Sequence, residues 1–170
     1  MEIRALRESD DRSGFRSGDA DLDRFFHRYA GQNQFRHHLS VTYVAAEGGR
    51  LAGYFAVSVG HLELDQLPLV YRRKLPRYPL PILRLARLAV DESFRGSGIG
   101  TRLLKAVLQM ALRLAEDFGC TGVVVDAKPA AMPFYEKFGF TPLDAVEGIP
   151  ADRPQPVPMF LAINKIRAAL

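Results

Sequence analysis

Residues Ile82 to Phe118 constrain this chain more than any other stretch. An apolar run, Ile82 to Val90, leads to Arg95-Gly96-Ser97-Gly98-Ile99-Gly100, and an amphipathic run from Ile99 to Phe118 follows. The order is strand, glycine loop, helix. Such a loop points free backbone N–H groups, and the positive end of a helix dipole, at one spot. That spot suits a phosphate or pyrophosphate. The three glycines let a ligand approach the backbone without meeting a Cβ, and they permit positive φ. Arg95 can add a fixed positive charge beside the anion.

Two familiar phosphate loops fit poorly. A P-loop closes on Gly-Lys followed by Ser or Thr, and no such pair is present here. The dinucleotide fingerprint needs a third glycine where Thr101 stands. Asp126 ends the next apolar strand, about where a ribose-binding acid would sit. Further βαβ units would then have to follow, and too little chain remains beyond Gly119 for them.

The rest of the chain reads as alternating strands and helices. Ile3 to Leu6 is a short strand. Asp19 to His37 is a helix, capped by Asp19 or Asp21, with Leu22, Phe25, Phe26 and Tyr29 at helical spacing. Val41 to Ala46 and Leu51 to Val59 are strands joined by the hairpin signal Glu47-Gly48-Gly49-Arg50. His61 to Leu67 is a candidate extension. Pro68 to Pro81 is dense in proline, which leaves room for a short helix over Leu69 to Leu75 and little else. The helix from Ile99 buries a stripe ending in Phe118, and Gly119 stops it. Thr121 to Ala127 is a buried strand, Pro129 to Phe138 a long helix ended by Gly139. Met159 to Ile163 is a final strand after the proline-rich loop Ile149 to Pro158.

The length of 170 residues fits one domain spanning residues 1–170. No apolar run is long enough and free enough of charge for a membrane helix. Met1-Glu2-Ile3-Arg4 has no signal-peptide pattern, and Cys120 is the only cysteine. These features lead us to expect a cytoplasmic protein, with Cys120 a small buried filler. The net charge of +4 favours an anionic partner. His27, His37, His38 and His61 have no metal-ligand spacing, so no metal site is expected.

The loop matches [RQ]-x-x-G-x-[GA] through Arg95, Gly98 and Gly100. A second stretch, Ala131-Met132-Pro133-Phe134-Tyr135-Glu136-Lys137-Phe138-Gly139-Phe140, matches A-x-x-F-Y-x-x-x-G-F. Together, and in this order, they resemble the acetyl-CoA loop and the tyrosine segment of the GNAT N-acetyltransferase superfamily. The resemblance implies an α/β (α+β) fold: a central mixed, mostly antiparallel sheet flanked by helices, with a bulged and splayed central strand. It assigns Arg95, Gly96, Ser97, Gly98, Ile99, Gly100 and Thr101 to the CoA pyrophosphate. It assigns the backbone of Leu88, Ala89 and Val90 to the pantetheine arm, and Phe134 to the same cofactor site. Tyr135 is similar to the family tyrosine near the CoA sulfur. A phenol with a pKa near 10 stays protonated at neutral pH and can protonate the departing thiolate.

Further stretches narrow the likeness. Phe15-x-Ser17-Gly18-x-x-x-Leu22-Asp23-x-Phe25-Phe26, Ala30-x-Gln32-Asn33, Tyr54-Phe55-x-Val57-Ser58 and Leu83 to Asp91 are similar to the GNAT-type toxins of bacterial toxin–antitoxin pairs. That resemblance implies the α-amine of an aminoacyl-tRNA as acceptor and a ribbon-helix-helix antitoxin as partner, and leaves a homodimer open. Ile82 to Val90 lacks a carboxylate to serve as general base; Asp91 at its end reads as a turn residue, and Glu63 and Asp65 are the other candidates. A low-pKa acceptor reduces that need, since α-amines titrate near 7.7–8.0 and lysine near 10.4. Arg84 and Arg87, inside an apolar strand, are candidates for acceptor or phosphate contacts. Arg72, Arg73 and Lys74 could meet tRNA phosphates. Two rival readings stand beside this one. The acceptor could be a small-molecule amine or a protein N-terminus, or the chain could bind CoA as a regulatory module without turnover.

Overall fold

The Glu47-Gly48-Gly49-Arg50 hairpin forms as its sequence dictates. It joins β2 (Val41–Glu47) to β3 (Arg50–Leu62), with a register shift at Ala45/Ala46. β1 (Glu2–Ala5) pairs antiparallel with β2. The computed structural model describes residues 1–67, 69–77, 79–143 and 156–170. Among these, β4 is Leu80–Val90, β5 Gly122–Ala127, β6 Thr141–Pro142 and β7 Val157–Ala162. β5 pairs antiparallel with β7, and so does β6. The seven strands form one sheet in the order β1-β2-β3-β4-β5-β7-β6. The Thr121 N–H donates to the Pro81 carbonyl (2.8 Å), and Arg84 meets Asp126 further along, so β4 and β5 run the same way. The sheet is therefore mixed and mostly antiparallel, as expected. The proline-rich loop Ile149 to Pro158 lies largely outside the described residues.

Two compact units make up the chain. One comprises Met1–Ser58 with Leu85–Val107, the other Val59–Arg84 with Leu108–Leu170. The first has a core of Leu6, Phe15, Phe25, Phe26, Val44, Tyr54 and Ala89, among others. The second is built on Leu62, Leu67, Leu80, Ile82, Val124 and Phe160, with Tyr71 and Leu75 packed against them. The Tyr71 and Phe160 rings meet edge to face at 5.6 Å.

Several helices depart from their sequence patterns. Asp19 caps α1 (Ala20–Arg24), accepting from the N–H groups of Asp21 and Leu22. The expected single helix to His37 is interrupted by a π-helical turn, Phe25–Tyr29, in which the Ala30 N–H reaches back to the Phe25 carbonyl. It resumes as α2 (Ala30–Phe35). The wide turn brings two neighbours, Phe25 and Phe26, to one partner. Both stack on the Tyr54 ring, at 6.1 and 4.4 Å.

A short α3 (Leu69–Arg72) forms in the proline-dense stretch. α4 (Ile99–Asp117) matches its stripe except at Phe118, which is 87% exposed. The helix unwinds there, as the N–H groups of Phe118 and Gly119 both converge on the Leu114 carbonyl. The long helix expected over Pro129 to Phe138 shrinks to a 3-10 turn at Pro129–Ala131 and α5 (Met132–Glu136). Proline at its start favours the tight turn. The N–H groups of Phe138 and Gly139 then bond Tyr135 and Glu136, three residues back, which ends the α-helix early. β7 stops at Ala162, and α6 (Ile163–Ala169) follows, with Ile166 its one buried residue. A single buried position in two turns leaves no period to read.

Candidate active site

The glycine loop is a short staircase into α4. Asp91 caps a 3-10 turn, Glu92–Phe94, after which Arg95 is extended. Gly96 and Gly98 have φ of +77° and +80°, in the left-handed region that side chains avoid. A Cβ built at either glycine would meet nothing within 4 Å. Backbone conformation alone thus demands glycine here, and the space outside the loop is open to a ligand. The first bond of α4 runs from the Arg102 N–H to the Gly98 carbonyl. The N–H groups of Ile99, Gly100 and Thr101 precede that ladder, at the positive end of a 19-residue helix. This donor set fits a pyrophosphate.

Gly53 of β3 seats that helix. A Cβ there would come within 2.9 Å of Leu103 Cδ1, 3.0 Å of the Ala89 carbonyl and 3.2 Å of Ile99 Cγ2. The missing side chain lets the first turns of α4 lie on β3 beside β4. Leu88, Ala89 and Val90 complete β4 at this point, Ala89 buried and its neighbours half-buried.

The segment resembling the toxins proves to be a strut for the loop. The Glu92 N–H donates to the Arg16 carbonyl (2.8 Å), and the Arg16 N–H to Asp91 Oδ2 (2.9 Å). The Ser17 hydroxyl and N–H both donate to Asp23 Oδ1, at 2.6 and 2.9 Å. The Arg95 guanidinium donates to the Ser17 carbonyl and lies 3.9 Å from Glu92. Arg95 thus braces the loop against Ser17 in this structure. The Ser97 hydroxyl donates to the Phe94 carbonyl. Ser17, Asp23 and Gly53 take part in the site's construction without any chemistry of their own. The Phe15 to Phe26 pattern is the one sequence signal that points to the first two.

Asp91 is committed to structure. Burial alone would raise its pKa, but Ser93, the Arg16 backbone and nearby Arg50 hold the carboxyl below its ordinary value. Its Oδ1 accepts from the Ser93 N–H and hydroxyl, at 2.9 and 2.6 Å. A carboxylate so fully engaged is a loop clamp and a poor base. Glu63 and Asp65 are exposed.

Tyr135 lies on α5, buried at 4% exposure, with Phe134 at 5.1 Å and Phe140 at 5.6 Å, both edge to face. Phe134 also meets Phe138 at 5.5 Å. Burial pushes the Tyr135 hydroxyl up from its ordinary pKa, keeping it protonated. Among the described residues that hydroxyl has no hydrogen-bond partner, so its proton is available to a ligand.

The basic candidates separate. Arg72 donates to the carbonyls of Leu67 (2.6 Å) and Asp65 (2.5 Å), fastening its own loop. Arg73 and Lys74 are exposed. Arg84 places Nη1 2.9 Å from both carboxylate oxygens of Asp126, which also accounts for that aspartate. Arg87 lies over the Phe25 ring, 4.0 Å from its centroid. Cys120 is buried, its thiol donating to the Gly122 carbonyl at 3.3 Å, and burial raises its pKa. His27 Nε2 is 2.8 Å from the Phe15 carbonyl. Among the described residues no three metal-ligating side chains cluster, and no helix is long and apolar enough to cross a membrane.

A family model for the acetyltransferase (GNAT) domain matches residues 38–142, a span that holds the loop, β4 and Tyr135. The chain belongs to the GNAT acetyltransferase family. Among relatives of this GNAT chain, a tRNA-acetylating toxin of Mycobacterium tuberculosis (strain ATCC 25618 / H37Rv) is 31% identical over 138 residues. The match covers 81% of this chain and 82% of the relative. A probable toxin TacT of Sinorhizobium fredii (strain NBRC 101917 / NGR234) is 27% identical, covering 94% and 89%. Of solved structures, AtaT complexed with acetyl-methionyl-tRNAfMet superposes with a TM-score of 0.83 at 24% identity, covering 98% and 97%. A Tyr-to-Phe variant of KacT gives 0.80 at 24% identity, covering both chains fully. These two likenesses establish the GNAT fold.

Proposed function

We propose that this GNAT acetyltransferase moves the acetyl group of acetyl-CoA to the α-amine of an aminoacyl-tRNA, and so acts as a translation-blocking toxin in the cytoplasm. One observation carries the donor half: two open left-handed glycines in front of a long helix whose first N–H groups have no ladder partner. The acceptor half is supported by the 31% identical relative named for tRNA acetylation. It is also supported by a β4 that carries arginines and no carboxylate. Residues 1–170 then work as a single catalytic domain.

In this reading the loop holds the CoA pyrophosphate, and the backbone of Leu88, Ala89 and Val90 pairs with the pantetheine arm. A bulge that splays β4 would admit it. The acceptor nitrogen attacks the thioester carbonyl; the N–C bond forms and the C–S bond breaks. Backbone N–H groups of β4 polarise the carbonyl. Tyr135 gives its proton to the departing sulfur, and water returns one to the phenolate. The proton lost by the attacking amine passes to water, and because an α-amine titrates near 7.7–8.0, about half of it is already neutral near pH 8. A ribbon-helix-helix antitoxin is the partner that would restrain such an enzyme.

The test is incubation with radiolabelled acetyl-CoA and a charged tRNA pool, beside polyamines and N-terminal peptides. Label on the aminoacyl-tRNA is expected. Label confined to polyamines or peptides would leave the acetyltransferase and remove the toxin.

A further inference from the structure

Two arginines interrupt β4, and the fold treats them differently. Arg84 is neutralised by Asp126. Arg87 is not: among the described residues it makes no ion pair and no hydrogen bond, and its guanidinium rests on the Phe25 ring at 4.0 Å. That separation is a cation–π contact, and a ring face offers the guanidinium N–H donors no lone pair. A partly buried cation with no protein acceptor is open to one that a ligand brings.

The platform under Arg87 is itself fixed. Phe25 is buried and sits at the start of the π-helical turn, its carbonyl taking the Ala30 N–H. Its ring stacks on Tyr54, whose hydroxyl donates to the Leu22 carbonyl at 2.7 Å. Turns of this kind are uncommon in helices and recur at functional sites. The planar guanidinium fork matches the paired oxygens of a phosphate or a carboxylate.

We propose that Arg87 is a phosphate subsite on the acceptor side, where its guanidinium edge takes a phosphodiester near the 3′ end of the aminoacyl-tRNA. This rests on the acceptor reading above. The donor also carries phosphates, but its cradle begins at Arg95. Arg87 stands three residues of extended strand, about 10 Å, before β4 ends at Val90.

The experiment compares two acceptors that share the amine and ester. One is aminoacyl-tRNA; the other is the aminoacyl ester of adenosine, which has no phosphate. For Arg87→Gln, kcat/KM on aminoacyl-tRNA should fall roughly 10- to 100-fold through KM, the range expected when a charge-assisted hydrogen bond is removed. Activity on the adenosine ester, and acetyl-CoA affinity by calorimetry, should stay within about twofold of wild type, because neither uses that contact. Arg87→Lys should recover part of the loss, as it keeps the charge without the planar fork. Phe25→Leu, which removes the ring face and keeps an apolar residue, should give a smaller loss on tRNA alone. Equal losses on both acceptors would make Arg87 a structural residue, and weaker acetyl-CoA binding would move the phosphate to the donor. Either result overturns the proposal while the acceptor reading survives. A wild-type enzyme inert on both acceptors would remove the acceptor reading and this subsite together.

Discussion

Arg95 donates a guanidinium N–H to the carbonyl of Ser17, 78 residues away in sequence. The glycine loop is therefore held from outside, by a segment that also presents the Arg16 backbone to Asp91 and Glu92. Ser17 is 9% exposed, and its hydroxyl serves both Asp23 and the Asp19 N–H. Ser17→Ala should lower stability by about 1–3 kcal/mol, the usual consequence of orphaning buried polar groups. It should also raise the KM for acetyl-CoA with little change in kcat. Urea denaturation and steady-state kinetics measure the two effects separately. A destabilised variant with an unchanged KM would detach the strut from the loop's function.

Gly98 tests the loop itself. Since a Cβ meets nothing there, Gly98→Ala should fold, losing ~1–2 kcal/mol to the left-handed backbone. Gly98→Asp should carry a similar strain but bring a carboxylate to the anion site. Calorimetry should show the aspartate variant binding acetyl-CoA at least about tenfold more weakly than the alanine variant, a difference of ~1.4 kcal/mol. Equal affinities would place the pyrophosphate elsewhere.

Tyr135→Phe keeps the ring contacts and removes one proton. The expected fall in kcat is on the order of 10²–10⁴-fold, with KM for acetyl-CoA nearly constant. A loss of under about threefold would reduce Tyr135 to packing. Burial raises its pKa, so the hydroxyl stays protonated across the working range and should cause no alkaline loss of activity below its ordinary value of about 10. The linkage has a definite sign. The native state holds this proton more tightly than the unfolded chain does, so stability is full below about pH 10 and declines as pH rises through it. Tyr54, raised for the same reason, adds to that decline. Tyr135→Phe should flatten the alkaline limb of a melting-temperature profile.

Asp91 and Asp10 act at the other end of the pH scale. Asp91 is lowered by its hydrogen bonds despite burial, and Asp10 chiefly by the paired hydrogen bonds from Arg4, both at 2.8 Å. A lowered native pKa means stability present above the unfolded value of about 3.9 and lost as pH falls below it. Asp91→Asn should destabilise the protein at neutral pH and show a shallower acid transition than wild type. An unchanged acid limb would deny Asp91 its clamp role.

Arg73 and Lys74 are adjacent loop cations exposed to a polyanion, whereas Arg72 is occupied in binding carbonyls. If tRNA phosphates dock there, changing Arg73 and Lys74 together to Ala should reduce the slope of log affinity against log salt by roughly 0.7–0.9 for each phosphate no longer neutralised. Filter binding across a salt series reads the slope. An unaltered slope would assign this pair to solvent.

Sequence alone determined the parts of this protein that local physics controls. The glycines ahead of a long apolar stripe announced a tight loop opening a helix, because only glycine accepts a left-handed backbone cheaply and only a helix repeats every third and fourth residue. The hairpin at Gly48 and Gly49 was legible for a similar reason, whereas the mixed sheet and the place of Tyr135 came from the resemblance to the GNAT family. Tertiary structure decided what depends on distant neighbours. The π-helical turn at Phe25 carries two adjacent rings that both stack on Tyr54, a residue no helical pattern can see. Arg84 and Arg87 look alike in sequence, yet Asp126 neutralises one and Phe25 carries the other. Asp91 looked like a possible base until Ser93 and Arg16 filled its oxygens. Ser17 became a support for the loop through a hydrogen bond that spans nearly half the chain. Local rules fix the backbone of an element; the chemical role of a charged side chain is fixed by what the fold places against it.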